Sequence, residues 1–474
     1  MQMLQQQPDP SWTAETFKRF AAYLSRSVLK SPARIAIFGF GAVILTGALL
    51  LMLPAASTAT PIGFVNALFT ATSATCVTGL VVLDTGRELT RFGQVVILAM
   101  IQVGGLGIMT ISTLLLMVAG KRPSMIGRVV ISDTLTHSGD RSVGSLLKDV
   151  ALFTLVIESL GALVMFIQFL PGRTKGEAVY LSIFHSISAF CNAGFSTFSD
   201  SFTSFQENVP INLAVCFLII SGGIGFLVLS EIRHRLSVKH RPLSRLSLHS
   251  KLVLSSTAIL LFVSTVLIVL MEWDNTLTPF HPLQRCLVGF FHAVSARTAG
   301  FNSISISDMS NEALFLIILL MIIGASPGSC GGGIKTTTFS CLIILGISRL
   351  FGHEKPQLFH RTISQESIGK AVSIVMISIF VIFSATMLML MTELGEVSHP
   401  MSRGKFLELL FEVVSAFGTV GLSTGVTSGL STAGKLIIAG VMFVGRLGPL
   451  MIALAVSRQG MQRHYFAEEN IMIG

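Results

Sequence analysis

The chain has 474 residues, of which 51% are hydrophobic and 12% are charged, and its formal net charge is +9. Its mean hydropathy is +0.75. A water-soluble protein of this size cannot cover its core with so few polar residues, so the composition excludes a soluble enzyme or binding domain and indicates a protein whose solvent is the lipid bilayer.

Apolar runs follow one another along the chain, and each is a candidate membrane helix. These eight runs are residues 35–53, 94–118, 152–170, 211–229, 252–271, 313–323, 371–391 and 436–456. The run at 313–323 is too short to span and indicates the start of an interrupted helix. An even number of spans places both termini on one side, and we expect no cleaved signal peptide.

Lysine and arginine cluster in alternate loops. The clusters lie within residues 18–34, 121–148, 233–251, 349–370 and 458–463. By the positive-inside rule these segments and both termini are cytoplasmic, so the positive charge reflects membrane orientation and we expect no nucleic-acid partner. The six cysteines have no paired spacing, and we expect neither a disulfide framework nor a zinc site.

One motif recurs four times: Phe, three residues, Ser-Ala, and then a glycine. The copies are Phe69–Ala74 with Gly79, Phe184–Ala189 with Gly194, Phe291–Ala296 with Gly300, and Phe411–Ala416 with Gly421. A second glycine cluster follows each copy inside the next apolar run, at Gly104–Gly107, Gly222–Gly225, Gly324 onward and Gly445–Gly448. Each repeat therefore predicts a spanning helix, a short re-entrant helix, a glycine-ended extended loop and a second spanning helix.

Non-helical backbone within a membrane must be buried in protein or line water, and four such loops can surround an axis. The predicted fold is an all-α integral membrane protein with four pseudo-symmetric helix/pore-loop/helix repeats around one central pore. The predicted segments are a cytoplasmic N-terminal segment at 1–33, repeats at 34–120, 121–235, 236–350 and 351–457, and a cytoplasmic tail at 458–474.

The extended loops are candidate filters for a cation. Carbonyl oxygens from four loops can replace an ion's hydration shell, and glycine admits the backbone conformations that such loops need. The candidate ion-binding residues are Cys76, Val77, Thr78, Gly79, Cys191, Asn192, Ala193, Gly194, Thr298, Ala299, Gly300, Gly418, Thr419, Val420 and Gly421. The alternative, that these glycines only permit close helix packing, does not account for their fourfold register.

The third loop departs from the others. It is one residue shorter between Ser295 and Gly300, and it carries Arg297. We expect Arg297 to point behind the filter and to clamp an Asp or backbone carbonyls, and the alternative is a direct role in repelling ions.

A glycine-rich loop at 324–338 interrupts the second apolar run of the third repeat, because five glycines and a proline in ten residues cannot form a continuous helix. Below the filter, such a loop would obstruct the ion path and move aside, so we interpret it as a gate. The candidate gate residues are Gly324, Ala325, Ser326, Pro327, Gly328, Ser329, Cys330, Gly331, Gly332, Gly333, Lys335 and Arg446. The pattern of a nucleotide-binding P-loop is not met, since Ile334 separates Gly333 from Lys335.

Arg446 lies in the last span, where an arginine needs water or a partner. We expect its guanidinium to donate to carbonyls of the gate loop, and an ion pair between helices is the alternative. Glu158 lies within the third run and is either a proton or sodium site or a packing contact. His185, His292 and Glu412 each follow the motif Phe by one residue, and we expect them to brace the filter from behind.

These residues resemble the Trk/Ktr/HKT superfamily of cation transporters, and within it the bacterial KtrB type of membrane subunit. The resemblance covers nearly the whole chain and rests on the four filter glycines, the stretch Gly324–Lys335, Arg446 and the ending Glu468–Gly474. Eight evident spans, without the two further N-terminal spans of many TrkH subunits, favour the Ktr branch.

The resemblance implies a potassium pore in each subunit of a homodimer in the bacterial inner membrane, with Met472, Ile473 and Gly474 at the dimer interface. It also implies a cytoplasmic KtrA-like ring that binds ATP or ADP and controls the gate, and Na⁺ as an activator. Gly79, where sodium-selective plant relatives have Ser, implies selectivity for K⁺. Pro327 and Cys330 stand where smaller or hydroxyl residues are expected and bear on the flexibility of the gate.

Two other classes of protein compete with a pore. A secondary transporter would bind substrate at Glu158 and the discontinuous helix, but all four repeats have the same order of elements and inverted repeats are missing. An intramembrane enzyme would need a metal motif or a nucleophile with a base, and no His-Glu-x-x-His or such pair occurs within a run. We therefore do not expect an enzyme.

Overall fold

The computed structural model describes residues 32–118, 143–237, 246–353, 355–359, 361–395 and 397–448. The predicted tail 458–474, with the interface residues Met472, Ile473 and Gly474, lies outside the described residues. So do most of the N-terminal segment 1–33 and most of the basic loop 121–148.

The described chain is built almost entirely of helices, in four successive groups. The first group contains α1 Pro32–Leu51, α2 Phe64–Thr75 and α3 Arg91–Val118. The second contains α4 Val143–Phe169, α5 Lys175–Phe190, α6 Val209–Ile224 and α7 Phe226–Ser237. The third contains α8 Leu248–Glu272, α9 Pro282–Ser295, α10 Asn311–Ile322 and α11 Thr336–Leu350. The fourth contains α12 Gln365–Leu394, α13 Lys405–Gly418 and α14 Thr432–Leu447. A hairpin of β1 Gln357–Leu358 and β2 Arg361–Thr362 precedes α12.

In the second, third and fourth groups, the first helix is long and apolar enough to cross a membrane without interruption. Among the described residues, three helices are long and apolar enough to span: α4 from Lys148, α8 and α12. The bent pair α6 and α7 would make a fourth. This is fewer than the eight apolar runs of the sequence, because the described part of α1 is short, the second helices of the first three groups are broken, and α14 is described only as far as Leu447.

The breaks in the first three repeats fall on the second glycine cluster, and in the fourth repeat the described part of α14 ends at that cluster. Gly107, Gly225 and Gly448 have φ values of 76°, 97° and 82°, which are left-handed conformations that glycine adopts without strain. At Gly225 the axis turns by 96°. The sequence predicted an interruption only in the third repeat, and the prediction of continuous second spans was wrong for the first and second repeats. Most of the second half of the fourth run, 436–456, lies outside the described residues.

The third repeat has the longest interruption. Non-helical backbone runs from 323 to 335, between α10 and α11. The predicted loop 324–338 is three residues too long, because Lys335 is the N-cap of α11 and Thr336 begins the helix. We call residues 323–335 the gate loop.

The short helices α2, α5, α9 and α13 lie where the motif predicts re-entrant helices, and we call them by that name. Each packs against the second helix of the preceding group: α5 against α3, α9 against α6, and α13 against α10. The series closes because α2 packs against α14. The four groups therefore surround one axis in chain order.

The motif residues lie in the interior of this ring. The motif phenylalanines are 1% exposed or less, and the motif Ser and Ala residues are fully buried. The outer surface is apolar, with side chains such as Phe262 and Phe380 more than 70% exposed. An apolar exterior of this kind faces lipid.

Candidate ion pore

The four candidate filter loops share an unusual backbone. In each loop, the residue two positions before the last glycine has a positive φ, although it carries a side chain. These residues are Val77 at 56°, Asn192 at 60°, Thr298 at 71° and Thr419 at 50°. The last glycines, at 79, 194, 300 and 421, have φ values of 95°, 70°, 76° and 92°. Left-handed residues that are not glycine are strained, and their fourfold recurrence at one position indicates a built site.

The serine of the motif holds each loop onto the end of its re-entrant helix. Its carbonyl accepts from the backbone N–H of Thr78, Ala193 and Val420 at 2.8 Å and of Ala299 at 3.0 Å. In the first and fourth repeats its hydroxyl also accepts from the filter glycine, at 3.1 Å for Ser73 and 3.0 Å for Ser415. In the second and third it donates to the carbonyls of Phe195 and Phe301. The sequence motif contained these serines, but their role was not predicted.

The four filter glycines form a closed ring. A methyl group built on Gly79 would lie 2.5 Å from the carbonyl oxygen of Ala193, and one on Gly194 would lie 2.8 Å from that of Ala299. The pairs, glycine first, are Gly79 with Ala193, Gly194 with Ala299, Gly300 with Val420, and Gly421 with Thr78. Each glycine thus approaches the residue before the glycine of the next repeat, and the fourth returns to the first. The ring has no room for a Cβ.

Three of the candidate ion-binding residues lie at the ends of the re-entrant helices instead of in the extended loops. Cys76 and Cys191 cap α2 and α5 in right-handed conformations, and Gly418 is the last residue of α13. All the candidate filter residues are buried except Gly194, which is half-buried. The C-terminal ends of four helices point their partial negative charge toward one place, which favours a cation there.

The third loop differs as its sequence does. Arg297 is 7% exposed, and its Nη2 donates to the hydroxyl of Thr257 on α8 at 3.4 Å. Its Nε has no partner among the described residues. The expected partner of Arg297 was an Asp or a backbone carbonyl, whereas the partner found is Thr257, on the first helix of the same repeat.

The second glycine clusters have a packing role beneath the ring. Gly104, Gly222 and Gly445 lie directly against the backbone carbonyls of Thr75, Phe190 and Phe417, and a Cβ at any of them would overlap these oxygens. Those carbonyls lie at equivalent positions, in the last turn of α2, α5 and α13. The filter glycines thus line the ring. The glycines of the second clusters let the second helix of a repeat pack closely against its re-entrant helix.

The gate loop lies against the broken helix of the second repeat. Ser326 and Cys330 donate their N–H groups to the carbonyls of Gly223 and Gly222, at 3.0 and 3.1 Å, and Phe226 donates to Gly328 at 3.0 Å. These carbonyls and the N–H of Phe226 lie at the break, where a continuous helix would pair them internally. The break at Gly225 therefore supplies the groups that bind the loop.

The fourth repeat holds the gate loop from the other side. Gly332 N–H donates to Oγ1 of Thr419 at 2.9 Å, which joins the loop to a candidate filter residue. The guanidinium of Arg446 donates to the carbonyl of Cys330 and to that of Gly104 on α3. Lys335 donates within the loop, to the carbonyl of Gly331 at 2.6 Å. The loop is thus held below the ring by two other repeats, and Arg446 also reaches a third.

The residues after the motif phenylalanines support the segments beyond the filter. Glu412 is fully buried and accepts from Ser423 Oγ at 2.5 Å, Thr427 Oγ1 at 2.6 Å and Thr424 N at 3.1 Å. His185 lies 2.8 Å from the Leu181 carbonyl through Nδ1, so Nδ1 donates and Nε2 accepts from Ser196 Oγ at 3.0 Å.

His292 lies 3.0 Å from the Val288 carbonyl through Nδ1. Glu158 lies apart from these residues, where Gln102 Nε2 donates to its Oε1 at 3.2 Å. The described residues contain no group of three or more His, Cys, Asp or Glu side chains placed to hold a metal ion.

Comparison with known proteins agrees with this architecture. Residues 17–465 match the model of the TrkH family, whose description is "Cation transport protein". The chain is 38% identical to Ktr system potassium uptake protein B of Bacillus subtilis, over 94% of this chain and 97% of the relative. It is 37% identical to the potassium/sodium uptake protein NtpJ of Enterococcus hirae, over 94% of this chain and 97% of that protein.

The fold is similar to the crystal structure of the potassium transporter TrkH from Vibrio parahaemolyticus. The TM-score is 0.72 at 17% identity, and the match covers 90% of this chain and 84% of that one. The resemblance inferred from the sequence is confirmed, and the family is one of transport proteins and not of enzymes. The chain belongs to the TrkH family of cation transport proteins.

Proposed function

We propose that this chain takes up potassium ions across the bacterial inner membrane through a pore that the four filter loops form. The observation that carries this proposal is the closed ring of Gly79, Gly194, Gly300 and Gly421, in which every glycine touches the loop of the next repeat. The residues of these loops from 76–79, 191–194, 298–300 and 418–421 bind the ion through their carbonyl oxygens. A ring of carbonyl dipoles at helix C-termini selects a cation that sheds its water.

Potassium is the ion that the comparisons favour. The relatives from Bacillus subtilis and Enterococcus hirae are named for potassium uptake, the latter for sodium as well. Glycine at position 79 leaves the ring without a hydroxyl side chain. Sodium acts in this proposal as an activator and not as the transported ion.

The gate loop with Arg446 closes the path below the ring. Its hydrogen bonds join the second and fourth repeats across the axis, so ions pass only when some of these bonds break. Glycines and the absence of helix allow the loop to change conformation at low cost. Pro327 has a fixed φ and no N–H to donate, so it restricts the backbone conformation of one part of the loop.

The proposed assembly is a homodimer on a cytoplasmic KtrA-like ring. Tail residues Met472, Ile473 and Gly474 form the dimer interface, and the basic cytoplasmic segments face the ring. ATP or ADP binds to the ring and not to this chain. Both termini are cytoplasmic, and the repeats keep the boundaries 34–120, 121–235, 236–350 and 351–457.

The test is complementation of a bacterium that lacks potassium uptake, with the nucleotide-binding partner present. We expect the wild-type chain to restore growth at low potassium and to take up rubidium, and Gly79→Ser to lose that uptake or admit sodium. Gly63→Ser is the matched control, because Gly63 lies in the same repeat with open space around it. Equal behaviour of wild type and Gly79→Ser would refute the filter, and a wild type that does not rescue growth would refute potassium uptake.

A further inference from the structure

A small cavity lies between the gate loop and the third re-entrant helix. Its lining residues come from α6, α8, the end of α9 with the filter loop that follows it, and the gate loop. They are Ile219, Ile220, Gly223, Leu261, Val294, Arg297 and Ala325. The space open to the centre of a water-sized sphere is about 10 Å³. A cavity of this size holds one water or one monatomic ion and excludes larger groups.

Arg297 is the only charged side chain that lines this cavity, and its charge has no counter-charge among the described residues. The ion pairs that involve described residues join other side chains. Arg297 is only 7% exposed. Its Nε has no partner among the described residues, and its hydrogen bond to Thr257 is long, at 3.4 Å. An arginine does not lose its proton in a protein, and a buried charge without a partner is strongly destabilising.

A water molecule would not satisfy this site. A buried water needs two to four polar partners, whereas the side chains around the cavity other than Arg297 are apolar. With water alone, the guanidinium would be balanced only by the partial negative charge at the C-terminal end of α9, next to a ring that we assign to cations. A single negative charge resolves both deficits.

We propose that this cavity binds one small monatomic anion, chloride under ordinary conditions, against the guanidinium of Arg297. Polyatomic anions such as gluconate or sulfate are too large for it. Ala325 of the gate loop forms one wall, so the anion lies in contact with the gate while remaining outside the ring. The site accounts for the buried positive charge of Arg297, for which the structure gives neither the expected Asp nor a backbone carbonyl.

The experiment is anomalous X-ray diffraction from crystals of the full chain in which bromide replaces chloride. We expect one bromide peak within contact distance of the Arg297 guanidinium. Arg297→Gln should abolish it. Arg285→Gln is the matched control on the same helix, because Arg285 donates to the carbonyls of Phe280, Trp273 and Thr278 and needs no anion.

A second variant keeps the arginine and fills the space. A methyl group on Gly223 would lie 3.5 Å from Asn192 Nδ2 and 3.9 Å from Ala325 Cβ, which is ordinary contact, so Gly223→Ala should fold. We expect it also to abolish the peak. The proposal would be overturned if the wild type showed no bromide peak in the cavity, or if the peak remained in Arg297→Gln or in Gly223→Ala. Neither result bears on potassium uptake.

The same variants have a readout in solution. The Tm of the wild-type chain should rise when chloride replaces gluconate, because a ligand that binds only the folded state stabilises it. Arg297→Gln and Gly223→Ala should show no such rise, and Arg285→Gln should behave as the wild type. An equal rise in all four proteins would show a general salt effect and would count against the site.

Discussion

The guanidinium of Arg446 donates to the carbonyl oxygen of Cys330, and so ties the last described helix to the gate loop of the third repeat. The same side chain donates to the carbonyl of Gly104 in the first repeat. One arginine therefore joins three repeats directly beneath the filter ring. Because both acceptors are backbone groups, the contact depends on where the loop lies and not on its side chains.

Removing this arginine should loosen the gate. Hydrogen bonds to charged groups contribute about 1.5–3 kcal/mol each, so Arg446→Gln removes a large part of what holds the loop in place. We expect rubidium flux in proteoliposomes without the regulatory partner to rise several-fold. Arg87→Gln is the control, since that side chain is 80% exposed. Flux equal to wild type would show that Arg446 does not hold the gate.

Thr419 provides a second test of how the gate loop is held, with a substitution that replaces one hydroxyl group by a methyl group. Thr419→Val keeps a β-branched side chain but removes the acceptor of Gly332 N–H, and an unpaired buried N–H costs about 1–3 kcal/mol. We expect a higher basal rubidium flux and a lower Tm. Thr70→Val is the control, because Thr70 is buried and its hydroxyl has no partner among the described residues. Similar losses in both variants would assign the effect to burial alone.

The ring should not tolerate a Cβ. Gly300→Ala places a methyl group against the carbonyl of Val420 and forces alanine into a φ of 76°. Gly172→Ala has nearly the same backbone strain, at a φ of 80°, but nothing within 4 Å of the added atom. Left-handed backbone costs alanine about 1–2 kcal/mol in both. We expect rubidium uptake to fall at least about tenfold only for Gly300→Ala, and equal losses would mean that strain and not the ring is responsible.

Glu412 should matter for selectivity. Its carboxylate accepts four hydrogen bonds from residues just beyond Gly421, which fix the outer end of the fourth loop. Glu412→Gln replaces an acceptor oxygen with a donor, so we expect the ratio of rubidium to sodium uptake and the Tm both to fall. Glu408→Gln, on the same helix and half-buried, is the control. An unchanged ratio with a lowered Tm would assign Glu412 to stability only.

Sequence reasoning went furthest where a pattern repeats. The Phe-x-x-x-Ser-Ala motif located all the re-entrant helices, and its glycines are the residues that meet in the ring. The breaks at Gly107 and Gly225 were missed, because hydropathy is the same for a straight apolar helix and a bent one. A glycine costs a helix only about 1 kcal/mol, so its presence alone does not predict a break.

Contacts between distant segments were the least predictable. Thr257 lies 40 residues before Arg297, and no spacing rule connects them. The carbonyls of Gly222 and Gly223 became partners of the gate loop only because the helix breaks next to them. Backbone groups carry no sequence signal of their own, so such partners emerge from the fold.

The contact between α2 and α14 joins the first short helix of the ring to the last described helix. A chain that contained only the first three groups would have two unmatched faces where this contact forms. Under the proposed function, the ion path is enclosed only when α14 is in place, so a chain that lacks α14 would have no closed conduit.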